Sequence, residues 1–207
     1  MIRKGDKEFK LLKDLILPLT KMEKVLDVGT SQRFAKELDY FRNEFQDNYS
    51  ALGYKPDMNF GKDNCDFDGD AMNLEFPDNF WDATLCIEVL EHVPNPQKVV
   101  DELRRVTKMG GSVILSTPFM TSYHGKMGGK SGKHTEYPDY FRYTHQGLGY
   151  LFREFSEVEV YPVGGKWHYL LVVLQLNKYK LLKWMVDIFD KPVKGKATIR
   201  HFVKAVK

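Results

Sequence analysis

Cysteine is nearly absent from this chain. Cys65 and Cys86 are the only two among 207 residues, without ligand-like spacing, and both fall in apolar or near-apolar strand contexts. Reduced structural thiols are expected rather than a disulfide framework, and no metal site is expected. Also missing is an apolar run long enough to span a bilayer. The most apolar segment, Tyr169 to Leu176, is broken at Gln175 and falls far short of the ~20 residues a membrane helix needs. The opening stretch MIRKGDKEFKLL has none of the uninterrupted apolar character of a secretory leader. These absences lead to the expectation of a cytoplasmic protein. Strong charge is lacking too: a net +3 is too mild to argue for nucleic acid, and no such partner is expected.

What is present suits a globular domain. A hydrophobic share of 43% argues against disorder. At this length, one domain over residues 1–207 is expected, with a long loop at 119–143 and a basic amphipathic segment at 168–196. The charge is uneven: residues 177–207 hold nine Lys/Arg and two Asp, a net +7 that leaves −4 for the remainder.

Apolar periodicity alternates between strand and helix along the chain. Phe9, Leu12, Leu15 and Ile16 line one side of a helix that stops near Pro18. KVLDVG (24–29), YSALG (49–53), NCDF (64–67), Ala83–Ile87, SVILSTP (112–118), EVEVYPV (157–163) and ATIRHFVKAV (197–206) read as seven strands. Between the first two, Phe34, Leu38, Phe41 and Phe45 recur at helical spacing, with Ser31 as a cap. A further helix opens with Asn95 as cap and Pro96 in its first turn, carries Val99, Leu103 and Val106 as its stripe, and is expected to stop at Gly110-Gly111. Thr144 can cap the next helix, and residues 168–189 are mostly helical by pattern. Such alternation predicts an α/β fold, a parallel sheet with helices on both faces. Ligands of such sheets sit beyond the carboxyl ends of the strands, where strand order switches. Glu88, directly after the fourth strand, either reaches that cleft or simply begins a loop.

Four pieces stand in a telling order: VLDVG (25–29), GDAMNLEFPDNFWDATLCIEVLEHVPNP (69–96), VVDELRRVTKMGGSVILSTP (99–118) and PDYFRYTHQGLGYLF (138–152). Together they resemble the class I S-adenosylmethionine-dependent methyltransferases, especially their small-molecule branch. The resemblance implies a Rossmann-like, seven-stranded, mostly parallel sheet with an antiparallel last strand. It implies S-adenosylmethionine as cofactor, and methyl transfer to a small-molecule or glycan acceptor, with oxygen as the expected atom. In residues, it implies that Asp27, Val28 and Gly29 form the turn where backbone approaches the methionine part of the cofactor. Asp70 and Ala71 would flank adenine, and Cys86, Ile87 and Glu88 would line the methionine end. Thr30, with Ser31 and Gln32, brings side chains to a place where further glycines are usual. Gly53 stands where an acid usually meets the ribose, and the nearest acid is Asp57. A methyltransferase-like scaffold that binds without turnover is the competing class.

Two other nucleotide readings fail on spacing. Only Gly29 stands where a dinucleotide fold needs G-x-G-x-x-G, and in GKMGGKSGK (125–133) the position that a phosphate loop needs as glycine is His124.

A hydroxyl acceptor must lose a proton, so proton-accepting side chains matter. His92, after the fourth strand, and His124 and His134, after the fifth, are the candidates, with ordinary pKa values near 6.5. For His92 the alternative is a structural hydrogen bond holding the 88–95 turn; for the other two it is a solvated loop. Glu91 is read as a surface carboxylate. The aromatics of YPDYFRYT (137–144) suit either a substrate wall or a seal on the loop, and Arg142 either binds an acidic acceptor or pairs with Asp139 or Glu136. Leu181, Leu182, Met185, Ile188 and Phe189 share a helical face bordered by Trp184. That face either covers the sheet or a second subunit, giving a homodimer, or rests peripherally on an anionic membrane.

Overall fold

The computed structural model describes residues 7–29, 41, 44–54, 65–125, 138–174, 176, 179–190 and 198–207. Seven strands form one sheet: β1 (Val25–Val28), β2 (Tyr49–Gly53), β3 (Phe67–Asp68), β4 (Trp81–Ile87), β5 (Thr107–Pro118), β6 (Glu157–Val163) and β7 (Arg200–Val206). Their order is β3-β2-β1-β4-β5-β7-β6. The pairs from β3 to β5 are parallel, and β7 runs antiparallel to both β5 and β6. This is the expected mostly parallel α/β sheet with an antiparallel final strand.

Strand alternation divides the core between the two faces. On one face Leu26, Val28, Cys86, Leu115 and Val203 pack with Val99 and Leu103 of α2 (Pro96–Val106) and Leu148 of α3 (His145–Leu151). On the other, Val25, Leu85, Ile114 and Phe202 pack with Phe9, Leu12 and Ile16 of α1 (Lys7–Ile16) and with Phe41 and Phe45. Full burial of a side chain such as Leu103 stabilises by about 1.5–3 kcal/mol. The helix expected before β2 lies mostly outside the described residues; of its four apolar positions, Phe41 and Phe45 are described, and both are buried.

Two caps follow the residue types. The Asn95 side chain accepts from Lys98 N–H at 3.3 Å, and Thr144 Oγ1 accepts from Gly147 N–H at 3.0 Å. The stop at Gly110-Gly111 is corrected: α2 ends at Val106, and Thr107 both opens β5 and closes the helix, its hydroxyl donating to Leu103 O at 2.7 Å. β4 begins two residues before the expected Ala83, because Trp81 pairs with Thr107. β3 is shorter than expected and shifted to Phe67–Asp68.

The segment after β6 forms two helices, α4 (Lys166–Val173) and α5 (Lys180–Phe189). Asp190 joins them: its Oδ2 accepts from Gly165 N–H (2.8 Å), His168 N–H (3.0 Å) and His168 Nδ1 (3.0 Å). Of the face expected to cover the sheet or a second subunit, or to rest on a membrane, Leu182 is half-buried and the other described positions are open. Leu181, Trp184 and Phe189 are each more than half exposed, and Trp167, Leu170 and Met185 are exposed beside them. No helix among the described residues is long and apolar enough to cross a membrane.

Candidate active site

Strand order reverses between β1 and β4, since the chain passes from β1 outward to β2 and β3 and then returns to β4. A crevice at this switch point is where an open α/β sheet takes its ligand. The β1–β4 ladder ends at Val28 and Cys86, so Ile87 and Glu88 extend beyond it. Gly29 turns there with φ 84°, and a Cβ on it would lie 2.3 Å from Val89 Cγ2. Only glycine fits that close approach between the tips of β1 and β4. Glu88 also adopts a positive φ, 56°, uncommon for a residue with a side chain and of a kind that gathers at functional sites.

The cofactor-side residues expected from the sequence fall into three groups. Gly29, Ile87 and Glu88 meet at the switch point. Gly53 ends β2, where its carbonyl accepts from Gly69 N–H at 2.9 Å, so Asp70 and Ala71 follow at the neighbouring tip. Asp70 Oδ1 accepts from Met72 N–H at 2.8 Å and holds the turn. Ala71 is buried in the core. Asp27 and Cys86 are different, since both side chains are buried in the sheet. Asp27 accepts a short hydrogen bond from Tyr49 OH, and the Cys86 thiol is pushed far up by burial and by the charges of Asp27 and Glu91. Thr30, with Ser31, Gln32 and Asp57, lies outside the described residues.

The candidate proton acceptors stand on the turn after β4 and on the loop that follows β5. His92 and His124 come together, their rings edge to face at 5.1 Å between centroids. His134 lies outside the described residues. Glu91 stands between the two imidazoles, and its expected surface position is corrected: the residue is completely buried. The reason is the short 3-10 turn Leu90–His92, which sends Leu90 and Glu91 inward and closes over them with other chain. Tyr140 N–H donates to Glu91 O at 2.8 Å, and Tyr143 OH donates to Leu90 O at 3.1 Å.

Glu91 Oε1 lies 3.7 Å from His92 Nε2 and 3.8 Å from His124 Nε2, too far for hydrogen bonds. Burial and the nearby charge of Glu88 push its carboxyl up, against the imidazoles, which pull it down. His124 is raised in turn, by Glu91 and Asp139 against the cost of burial. Two of the pairings offered for this region resolve. Arg142 pairs with Asp139, through a very short contact and a second at 2.7 Å, and holds that buried carboxyl well below the usual carboxylate range. His92 Nδ1 sits 2.5 Å from Pro138 O, a bond that ties the turn to the loop after β5 rather than one within residues 88–95.

Glu88 and Glu91 are held apart by the pleat. Glu88 Oε1 accepts from Ser116 Oγ at 2.8 Å and has Arg200 at 3.7 Å, whereas Glu91 Oε2 faces Thr117 Oγ1 at 3.5 Å. Adjacent strand residues point to opposite faces, so the carboxylates stand on opposite faces of the sheet edge. His201, opposite Thr117 on β7, is a buried residue that sequence reading passed over. Neither of its ring nitrogens makes a hydrogen bond among the described residues, and burial, with the charge of His145, pushes it down to about 4. Its strand pattern looks like ordinary core, so no local signal marked it. The concavity bordered by Leu52, Phe67, Gly69, Phe76 and Phe80 adjoins the β2 and β3 tips that carry Gly53 and Asp70, and neither His92 nor His124 lines it.

A sheet of order 3-2-1-4-5-7-6 with its seventh strand reversed, and a glycine turn at the switch point, is the Rossmann-like fold of the class I methyltransferases. Comparison with known proteins agrees. Residues 26–115, less than half of the chain, match the family described as "Methyltransferase domain". A ubiquinone biosynthesis O-methyltransferase from Dechloromonas aromatica (strain RCB) is 54% identical over 37 residues, 18% of this chain and 16% of that protein. A phosphatidylethanolamine N-methyltransferase from Cereibacter sphaeroides is 38% identical over 50 residues, 24% of this chain and 25% of that protein. These matches thus span a quarter or less of the curated relatives. In fold, a S-adenosylmethionine-dependent methyltransferase from Archaeoglobus fulgidus is similar with a TM-score of 0.61 at 14% identity, over 96% of this chain and 94% of that one.

Proposed function

We propose that this protein transfers a methyl group from S-adenosylmethionine to a small-molecule or glycan acceptor, at oxygen. The observation that carries the choice of oxygen is the buried Glu91 between His92 and His124 beside the switch point. Methyl transfer from a sulfonium needs mainly alignment and exclusion of water. A hydroxyl acceptor must in addition give up a proton, and imidazoles flanking a buried carboxylate are suited to take it. Tyr140 and Phe141, both exposed next to this cluster, suit a ring-shaped acceptor, against which aromatic faces pack well.

On the cofactor side the residues fit the donor. Gly29 lets backbone approach closely, Ile87 and Glu88 reach past the ladder, and Asp70 has its second carboxylate oxygen for the exocyclic amine of adenine. Thr30 and Gly53 complete that set. When bound, S-adenosylmethionine supplies the electrophilic methyl group. The exposed apolar face of α4 and α5 supports peripheral contact with an anionic membrane surface, with a homodimer as the other occupant.

Calorimetry with S-adenosylmethionine and S-adenosylhomocysteine tests the reading, and Asp70→Ala is expected to weaken binding about tenfold or more while the protein stays folded. If neither ligand binds the wild type, the scaffold reading replaces this one. If Asp70→Ala binds normally, adenine sits elsewhere. A gain of one methyl mass in an extract treated with protein and donor, lost on removing an oxygen-linked acceptor class, identifies the acceptor.

A further inference from the structure

We propose that Glu91, His92 and His124 form a binding site for one divalent transition-metal cation of the zinc type. Their three ligand atoms all lie within 4.8 Å of one another. Two imidazoles and a carboxylate are a donor set suited to such cations, with positions left open. Ligand atoms of a tetrahedral site with bonds of about 2.1 Å stand about 3.4 Å apart. The separations of 3.7 and 3.8 Å from Glu91 Oε1 therefore close by small side-chain rotations.

Three further observations support a cation here. Glu91 is fully buried, yet among the described residues its Oε1 accepts no hydrogen bond, and buried carboxylates are paired or metal-bound. That orphaned atom points at both imidazole Nε2 atoms. Each imidazole also turns Nδ1 toward an acceptor: His92 toward Pro138 O at 2.5 Å and His124 toward Asp139 Oδ2 at 3.5 Å. At His92 this contact puts the proton on Nδ1 and presents the Nε2 lone pair as the ligand, whereas His124 Nδ1 also has Ser122 O and Arg142 Nη2 at 3.4 Å. Arg142 is engaged by Asp139, although the charge of Glu91 also contributes to raising its guanidinium.

The role of the cation rests on the methyl-transfer reading. In place of proton acceptance by an imidazole, an acceptor hydroxyl in an open coordination position becomes more acidic. Its O–H bond breaks with the proton leaving to solvent and the oxygen pair forming the new O–C bond. The S–C bond breaks with its pair returning to sulfur.

The test uses the full chain, stripped with a chelator and titrated with Co²⁺ while the visible spectrum and the proton NMR spectrum are followed. One equivalent is expected to give the intense absorption of a low-coordinate cobalt site and two paramagnetically shifted imidazole N–H signals. His92→Gln and His124→Gln are each expected to lose binding, and Asp139→Asn to weaken it about 10- to 100-fold. Wild-type protein without the one-to-one cobalt spectrum overturns the inference, as does wild-type affinity in both histidine variants. The wild-type NMR signals count the ligands even if a variant fails to fold. Calorimetry with S-adenosylmethionine on the same samples separates the two ideas. Donor binding without cobalt binding overturns the cation site alone, and cobalt binding without donor binding overturns the methyl-transfer reading alone.

Discussion

Replacing Gly29 by alanine strikes the tightest point of the switch-point crevice. Two costs add. A residue with a Cβ at φ 84° occupies the left-handed region at about 1–2 kcal/mol. The new methyl would also lie 2.3 Å from Val89 Cγ2, where carbon contacts prefer about 3.5–4.0 Å. Relieving such an overlap costs about 1–3 kcal/mol. Gly29→Ala should therefore destabilise by about 2–5 kcal/mol, read as a lower urea midpoint with an unchanged slope. Val89→Ala removes the Cγ2 overlap, leaving Val89 Cβ at 3.3 Å, but not the backbone penalty. The double variant should accordingly recover about 1–3 kcal/mol relative to the sum of the single changes. A Gly29→Ala protein within about 0.5 kcal/mol of wild type, or a strictly additive pair, would refute the close approach of these two tips.

The remaining predictions concern other parts of the molecule. Arg142→Met leaves the buried Asp139 carboxylate without its cation and is expected to cost on the order of 3 kcal/mol in urea unfolding; a change near zero would mean that the pair contributes little. His201 is neutral in the folded state down to about pH 4, whereas in the unfolded chain it takes up its proton near pH 6.5. Between those values the unfolded state binds more protons, so stability falls as pH drops, by on the order of 3 kcal/mol in all, and this contribution is flat outside the window. His201→Leu should remove that slope, and an unchanged pH profile would count against a buried neutral imidazole. If α4 and α5 rest on a membrane, the protein floats with anionic vesicles and Trp184→Glu or Leu181→Glu abolishes flotation; a protein that stays at the bottom of the gradient contradicts the membrane contact.

Much of the fold is legible in residue patterns, because strand and helix periods leave separate marks. YSALG and EVEVYPV match β2 and β6 to the residue, and the Asn95 and Thr144 caps stand as read. The Gly110-Gly111 pair misled because a glycine pair after an apolar stripe resembles a helix stop, while the helix actually closes through the Thr107 hydroxyl. At the histidine cluster, local pattern identified His92 and His124 as candidates but not their meeting with Glu91. That meeting depends on the loop after β5 folding back over the turn after β4, a long-range contact with no periodicity. Glu91 shows the limit best: a carboxylate on a turn is nearly always solvated, and this one is buried under chain from after β5, with Tyr140 N–H on its own carbonyl and Tyr143 OH on that of Leu90.

The placement of β7 between β5 and β6 has a bearing on biosynthesis. Among the described residues β6 hydrogen-bonds to the sheet only through β7, so on the ribosome it waits without that partner until residues 200–206 have emerged. Until then β5 presents a bare row of amides and carbonyls, the kind of edge that recruits other chains. A fragment halted before residue 198 should therefore accumulate in aggregates rather than as a shortened but tidy domain, and a reporter meant to tolerate truncation belongs at the other side of the sheet.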